Sequence, residues 1–173
     1  ILKVSRSRHL RPTSGLVRGV IFDMLATLDV EPNRVLDLYA GTGSLGIEAL
    51  SRGAPWVDFI DHDRKSCSVI KQNLQTLGFD NNAHVYCSTA TKALDFLSEP
   101  YDLVLADPPY ARAAPMDLIS AIDRSSCISY GTTVVLETSR WSAALEKAMD
   151  LTLIKERRHG DTCIWIYRKE QST

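Results

Sequence analysis

Val35-Leu36-Asp37-Leu38-Tyr39-Ala40-Gly41-Thr42-Gly43-Ser44-Leu45-Gly46 is an apolar run that ends in a glycine turn. Leu45, Ile47, Ala49 and Leu50 then begin a helical pattern, so the stretch reads as strand, tight turn, helix. Gly41 and Gly43 permit backbone angles closed to other residues and let a ligand lie against bare main chain. The helix after the turn aims free N–H groups at that ligand. The spacing of Gly41, Gly43 and Gly46 fits G-x-G-x-x-G, which points to a nucleotide-like cofactor without choosing one. A tight strand-to-helix turn with no ligand can carry the same pattern.

Upstream, Leu16, Val17, Val20, Ile21, Met24, Leu25 and Leu28 recur at three- and four-residue steps. That predicts a helix of about four turns with Arg18 on another face. Lys3, Arg6, Arg8, Arg11 and Arg18 precede the first acid, Asp23. Residues 1–13 are therefore expected to form a basic arm suited to a polyanion, or else a solvated terminus. Pro12 argues against helix there, and Thr13 or Ser14 can cap the helix that begins beyond them. The chain begins at Ile1 rather than Met, so the arm is expected to be truncated.

Downstream, residues 56–61 read as a second strand. Asp61 stands twenty residues after Gly41, where doubly wound folds place a carboxylate for ribose hydroxyls. Asp63 can cap a helix that carries Val69, Ile70, Leu74 and Leu77 and stops at Gly78. Residues 83–87 form a third strand, 89–97 a helix and 101–106 a fourth strand. Asp107-Pro108-Pro109-Tyr110 stands at that strand's end, with a polar loop containing Arg112 after it. A helix near 116–122, a fifth strand at 131–137 and a helix at 141–149 come next. Two closing strands, 151–156 and 162–167, are joined by a turn at His159-Gly160-Asp161. Alternating strands and helices imply an α/β fold: a mostly parallel sheet with helices on both faces and an antiparallel last strand. Ligands bind such sheets beyond the carboxyl ends of the strands, where Asp37, Asp61, Thr89 and Asp107 all fall.

Composition narrows the class. The 173 residues are 45% hydrophobic and 24% charged with a formal net charge of −1, so one ordinary globular domain is expected, at residues 14–173 after the arm. No apolar run approaches membrane-spanning length, so no membrane partner is expected. Cys67, Cys87, Cys127 and Cys163 form no C-x-x-C pair, and His9, His62, His84 and His159 share no ligand spacing. No metal site is expected, and reduced thiols fit a cytoplasmic protein. Trp56, Trp141 and Trp165 read as core or rim packing.

Asp107-Pro108-Pro109-Tyr110 carries the chemistry. Two prolines stop the strand ladder and stiffen the loop. Pro109 has no N–H, which leaves the Pro108 carbonyl free of that donor. With the Asp107 carboxylate beside it, both hydrogens of a planar amine can be accepted. Tyr110 offers a ring face on which a base can stack. The lone pair of an exocyclic amine on a base is drawn into the ring. Two acceptors on its hydrogens push density back to nitrogen, which can then attack a methyl group on a sulfonium centre. Holding the pair in line supplies much of the rate. The alkylated nitrogen sheds its own proton afterwards, so no strong base is required.

These stretches resemble an S-adenosylmethionine-dependent methyltransferase of the seven-stranded, Rossmann-like class I. More closely the chain is similar to the RsmD family, which methylates the exocyclic N2 of a guanine in small-subunit (16S) ribosomal RNA. Matching stretches are Arg11-Pro12-Thr13, Val17-Arg18 with Phe22, residues 36–43, residues 48–54, Asn73-Leu74, Asp107-Pro108-Pro109-Tyr110 and Glu137. Gly19 stands where the family usually has Glu, Asp23 where it often has Asn, and Asp61 where it has Glu. The resemblance implies that Asp37, Tyr39 and Gly41-Thr42-Gly43 border the methionine part of S-adenosylmethionine. It implies that Asp61 holds the ribose and that Thr89-Ala90 lie by the adenine. His62 lines the adenosine pocket or lies on the surface. Asp107 and Pro108, with Pro109 and Tyr110, would grip and stack the target base, with Asp107 also at the cofactor. Arg6, Arg8, Arg11, Thr13, Arg18 and Arg112 would meet RNA. Glu137 ends a strand where a carboxylate can meet substrate or cap the helix ahead.

The expected function is therefore guanine-N2 methylation of small-subunit ribosomal RNA, naked or in an assembling subunit, by a monomer. A DNA adenine-N6 or cytosine-N4 methyltransferase would use the same motif, but the chain lacks room for a separate target-recognition domain. A nicotinamide-dependent oxidoreductase is supported only by the glycine spacing. A non-catalytic RNA-binding module leaves residues 107–110 unexplained.

Overall fold

The computed structural model describes residues 15–109, 115–139 and 146–171. Helix α1 (Gly15–Ala26) turns Val17, Ile21, Phe22, Met24 and Leu25 inward. Leu16, expected on that face, is in its first turn and is 67% exposed. Then come β1 (Arg34–Leu38), α2 (Ser44–Ser51), β2 (Trp56–Asp61), α3 (Arg64–Leu77), a short 3₁₀ turn and β3 (Ala83–Cys87). The second half holds α4 (Ala90–Phe96), β4 (Tyr101–Ala106), α5 (Pro115–Arg124), β5 (Ile128–Ser139), β6 (Lys147–Ala148), β7 (Leu151–His159) and β8 (Thr162–Lys169).

The strands form one sheet in the order β3-β2-β1-β4-β5-β8-β7-β6. The first five run parallel. β8 runs antiparallel between β5 and β7. Strand residues alternate between two cores, as the pleat requires. Val35, Phe59, Leu105 and Val135 pack with α1, α2 and α3, whereas Leu36, Ile60, Ala106 and Leu136 pack with α4 and α5. Trp165 is wholly buried.

Two expectations change. The sheet has eight strands rather than seven, because the two-residue β6 pairs with β7 at the edge. The described part of the helix expected at 141–149 is that strand and its turn instead. Met149 takes a left-handed φ of 56°. Leu153 N–H donates to Glu146 O at 2.7 Å, and Ala148 is buried on the core. Pairing across this tight turn outweighs the helical spacing of the apolar residues. Residues 140–145 lie outside the described residues.

The two caps of α3 form as expected. Asp63 Oδ2 accepts from Ser66 N at 3.1 Å at the start of α3, and Gly78 ends that helix at φ 75°. At Gly46 an added Cβ would stand 2.3 Å from the Phe59 ring. The third glycine of the turn motif thus lets α2 lie directly on β2.

Candidate active site

Asp37, Asp61 and Asp107, with the turn at residues 39–43, crowd the carboxyl ends of β1, β2 and β4. The turn after β1 begins at Tyr39, whose φ is 58°, and continues through Gly41 at 57° and Gly43 at 81°. Gly43 N–H donates to Ala40 O at 2.7 Å, closing a turn that ends at Gly43, the N-cap of α2. A side chain at Gly43 would also meet Ile47 and Ile70 at 3.3 Å.

Asp61, at the end of β2, braces this turn. Its Oδ2 accepts from Gly41 N at 2.8 Å and its Oδ1 from Asp63 N at 2.8 Å. Asp37 is 1% exposed and accepts from Gly46 N at 2.9 Å, so it ties β1 to the first turn of α2. Burial pushes the Asp37 carboxyl up to about 8; the Gly46 N–H opposes this, and the neighbouring Asp107 and Asp61 charges add to it. Asp107 is half-buried and Pro108 buried directly after β4.

Strand alternation places Asp37 and Asp61 on the α1–α3 face, since Val35 and Phe59 two residues earlier pack there. The site is thus an acidic face under a bare glycine turn. Each Asp61 oxygen keeps lone-pair capacity after its one N–H bond, which a diol can use. A cationic ligand would favour the ionised form of Asp37 and be attracted by the Asp61 and Asp107 carboxylates beside it. S-adenosylmethionine, with its sulfonium, ammonium and ribose diol, fits this donor set. A dinucleotide's anionic pyrophosphate would face those carboxylates.

Other expected residues are placed differently. Thr89 is the exposed N-cap of α4, its Oγ1 accepting from Lys92 N at 3.4 Å. Ala90 turns its methyl into the core at 4% exposure, so only its main chain can face a ligand. His62 has a 63% exposed side chain whose Nδ1 is 3.7 Å from Asp61 Oδ1. Arg18 reaches Glu48 at 3.2 Å, and Glu48 also holds Arg52 at 2.8 Å, so this arginine ties α1 to α2. Arg6, Arg8, Arg11, Thr13, Tyr110 and Arg112 lie outside the described residues.

Sequence reasoning gave no role to Asn73. Its buried Nδ2 donates to Thr42 O at 3.1 Å and holds the glycine turn from α3. Its signal was an amide between Ile70 and Leu74 on an apolar helix face. A recess of about 620 Å³ lies at the opposite ends of the strands, beside Val30, Pro32, Asp102 and Arg168. Asp102 there accepts from Asn33 N and Arg34 N and serves the entry to β1. Among the described residues no cluster of His, Cys, Asp or Glu could hold a metal. No described helix is long and apolar enough to cross a membrane.

The raised Asp37 carboxyl has a testable sign. Its proton is held more tightly in the folded chain than in the unfolded one. That contribution to stability is full below the ordinary value of 3.8 and is lost as pH rises through about 8. Asp37→Asn keeps an oxygen for the Gly46 N–H. It is expected to flatten the fall in melting temperature between about pH 4 and pH 8. Parallel curves for the two proteins contradict the assignment.

The order of the sheet, with a glycine turn after β1 and an acid closing β2, is the fold of a class I methyltransferase. A family model described as "Conserved hypothetical protein 95" matches residues 1–168. The chain belongs to this family, the RsmD family. It is 34% identical over 171 residues to "Putative rRNA methyltransferase YlbH" of Bacillus subtilis, covering 97% of this chain and 92% of that protein. It is 31% identical over 169 residues to "Ribosomal RNA small subunit methyltransferase D" of Escherichia coli, covering 98% and 84%. The solved structure of "Putative methyltransferase yhhF from Escherichia coli" superposes with a TM-score of 0.83 at 29% identity, covering 96% of this chain and 91% of that one.

Proposed function

We propose that this chain transfers a methyl group from S-adenosylmethionine to the exocyclic N2 amine of a guanine in small-subunit ribosomal RNA. One observation carries the proposal. Asp37, Asp61 and Asp107 gather around a bare glycine turn, and Asp107 leads into a Pro-Pro exit beside that turn. The names of the relatives supply the RNA class, and the acidic face supports a cationic methyl donor.

S-adenosylmethionine, when bound, supplies an electrophilic methyl group. Asp61 would hold the ribose diol while keeping Gly41 and Asp63 in place. Asp37, Tyr39 and residues 41–43 would hold the methionine end, and the main chain of Thr89-Ala90 would hold the adenine. Asp107 and the Pro108 carbonyl accept the two amine hydrogens, so the nitrogen lone pair is aimed away from the ring. Pro109 stiffens the loop and Tyr110 stacks on the base. The basic arm at 1–13, with Arg18 and Arg112, meets RNA phosphate. The base leaves its stack to enter, at a cost of about a few kcal/mol in a duplex. The enzyme acts as a monomer in the cytoplasm, on free RNA or on an assembling subunit.

The cofactor half is tested by ligand-dependent melting. S-adenosylmethionine is expected to raise the melting temperature and NAD to leave it unchanged, because only binding to the native state stabilises by linkage. Stabilisation by NAD alone would remove the proposal.

A further inference from the structure

We infer that Glu137 accepts the N1–H of the target base and so selects guanine over the other bases that carry an exocyclic amine. The inference rests on the guanine-N2 reading and adds the residue that enforces it. Glu137 lies near the end of β5 and is 5% exposed. The parallel register pairs Ala106 with Leu136, so the next positions on the two strands, Asp107 and Glu137, stand side by side. Neighbouring strands are spaced by about 4.8 Å. Val135 packs on the α1–α3 face and Leu136 on the other, so alternation returns Glu137 to the face of Asp37 and Asp61. On its far side Glu137 pairs in register with Ile164, which is wholly buried and offers only a hydrocarbon side chain. The acidic row over these strands therefore ends at Glu137, directly beside the residue assigned to grip the amine.

The chemistry of the bases makes that placement selective. Beside its amine, guanine carries a ring N–H, a donor. Adenine and cytosine carry a bare ring nitrogen in the corresponding position, an acceptor. An ionised carboxylate only accepts. With the amine held by Asp107 and Pro108, guanine presents Glu137 with a hydrogen, whereas adenine or cytosine presents a lone pair. A site built to bond a substrate N–H rejects analogues that lack it far more strongly than a hydrocarbon pocket can. The same carboxylate thus opposes the adenine-N6 and cytosine-N4 activities that the Asp-Pro-Pro-Tyr motif alone would allow.

The test uses a short RNA that carries the mapped target either as guanosine or as 2-aminopurine riboside, which keeps the amine and loses the N1–H. The wild-type protein is expected to favour guanosine by at least about 100-fold in kcat/KM. Glu137→Gln, whose amide can donate as well as accept, is expected to narrow that ratio at least about tenfold, chiefly by gaining on 2-aminopurine. Affinity for S-adenosylhomocysteine, read by calorimetry, should stay within a few-fold, which marks the variant as folded. If Glu137→Gln does not fold, Glu137→Asp withdraws the acceptor and should slow guanosine more than 2-aminopurine. Equal rates on both RNAs with the wild type, or an unchanged ratio in a variant that binds S-adenosylhomocysteine, overturn the inference and leave guanine-N2 methylation standing. No transfer to the guanosine RNA, either free or assembled with small-subunit proteins, removes both.

Discussion

Asp107→Ala is expected to lower the rate of methyl transfer by about 10²–10³-fold or more while cofactor affinity stays within a few-fold. The magnitude is that of removing one preorganised group that acts where charge develops in the transition state. The cause is local. Asp107 leaves β4 next to Asp37, and Pro108 behind it is buried, so the pair of acceptors is held by the strand end rather than by a loose loop. Without the carboxylate, one amine hydrogen has no partner and the nitrogen lone pair drifts back into the ring. The contacts proposed for the cofactor, at Asp61 and the glycine turn, remain in this variant. Single-turnover transfer and calorimetry separate the two quantities. Unchanged turnover would strip Asp107 of its role.

The second large effect is at Asp61. Its two oxygens hold Gly41 N–H and Asp63 N–H, each at 2.8 Å. Asp61→Ala would therefore remove the proposed ribose acceptor and loosen the turn proposed to carry the rest of the cofactor. Two partly buried N–H groups lose their partner, at about 1–3 kcal/mol of stability. Cofactor affinity is expected to fall by about 10–100-fold, or roughly 1.4–2.8 kcal/mol. The loss should appear in binding before it appears in RNA affinity. A variant that binds S-adenosylhomocysteine normally and RNA poorly would move Asp61 out of the cofactor site.

Local chemistry explains which parts of this architecture could be read from residues. The β1 turn, the Asp63 cap and the Gly78 stop each depend on a few consecutive residues, and all three are found where the sequence places them. The parallel core followed from strands that alternate with helices. β6 could not be read, because two residues pairing across a turn leave no periodic trace, whereas the apolar residues around it mimic a helix. Leu16 matched the helical stripe in spacing but stands in the first turn, at the edge of the packed face.

The candidate site shows the same division. Asp37, Asp61 and Asp107 were legible because each lies at or near the end of a strand. Their partners were not, since Gly46, Gly41 and Asp63 bind through main-chain N–H groups that every residue but proline carries. Asn73 reaches Thr42 across 31 positions of sequence, a contact no local pattern encodes. Arg18 was legible as a cation, but its pairing with Glu48 depends on how α1 crosses α2.

The most direct measurement is a nucleoside census. Small-subunit ribosomal RNA from cells lacking the gene is compared with RNA from the parent by mass spectrometry, and the lost mark is mapped by primer extension. The purified protein and S-adenosylmethionine are then added back. One N2-methylguanosine missing from the small-subunit RNA and restored in vitro is the expected result. An unchanged census, or a missing mark on adenine, cytosine or another RNA, contradicts the central claim.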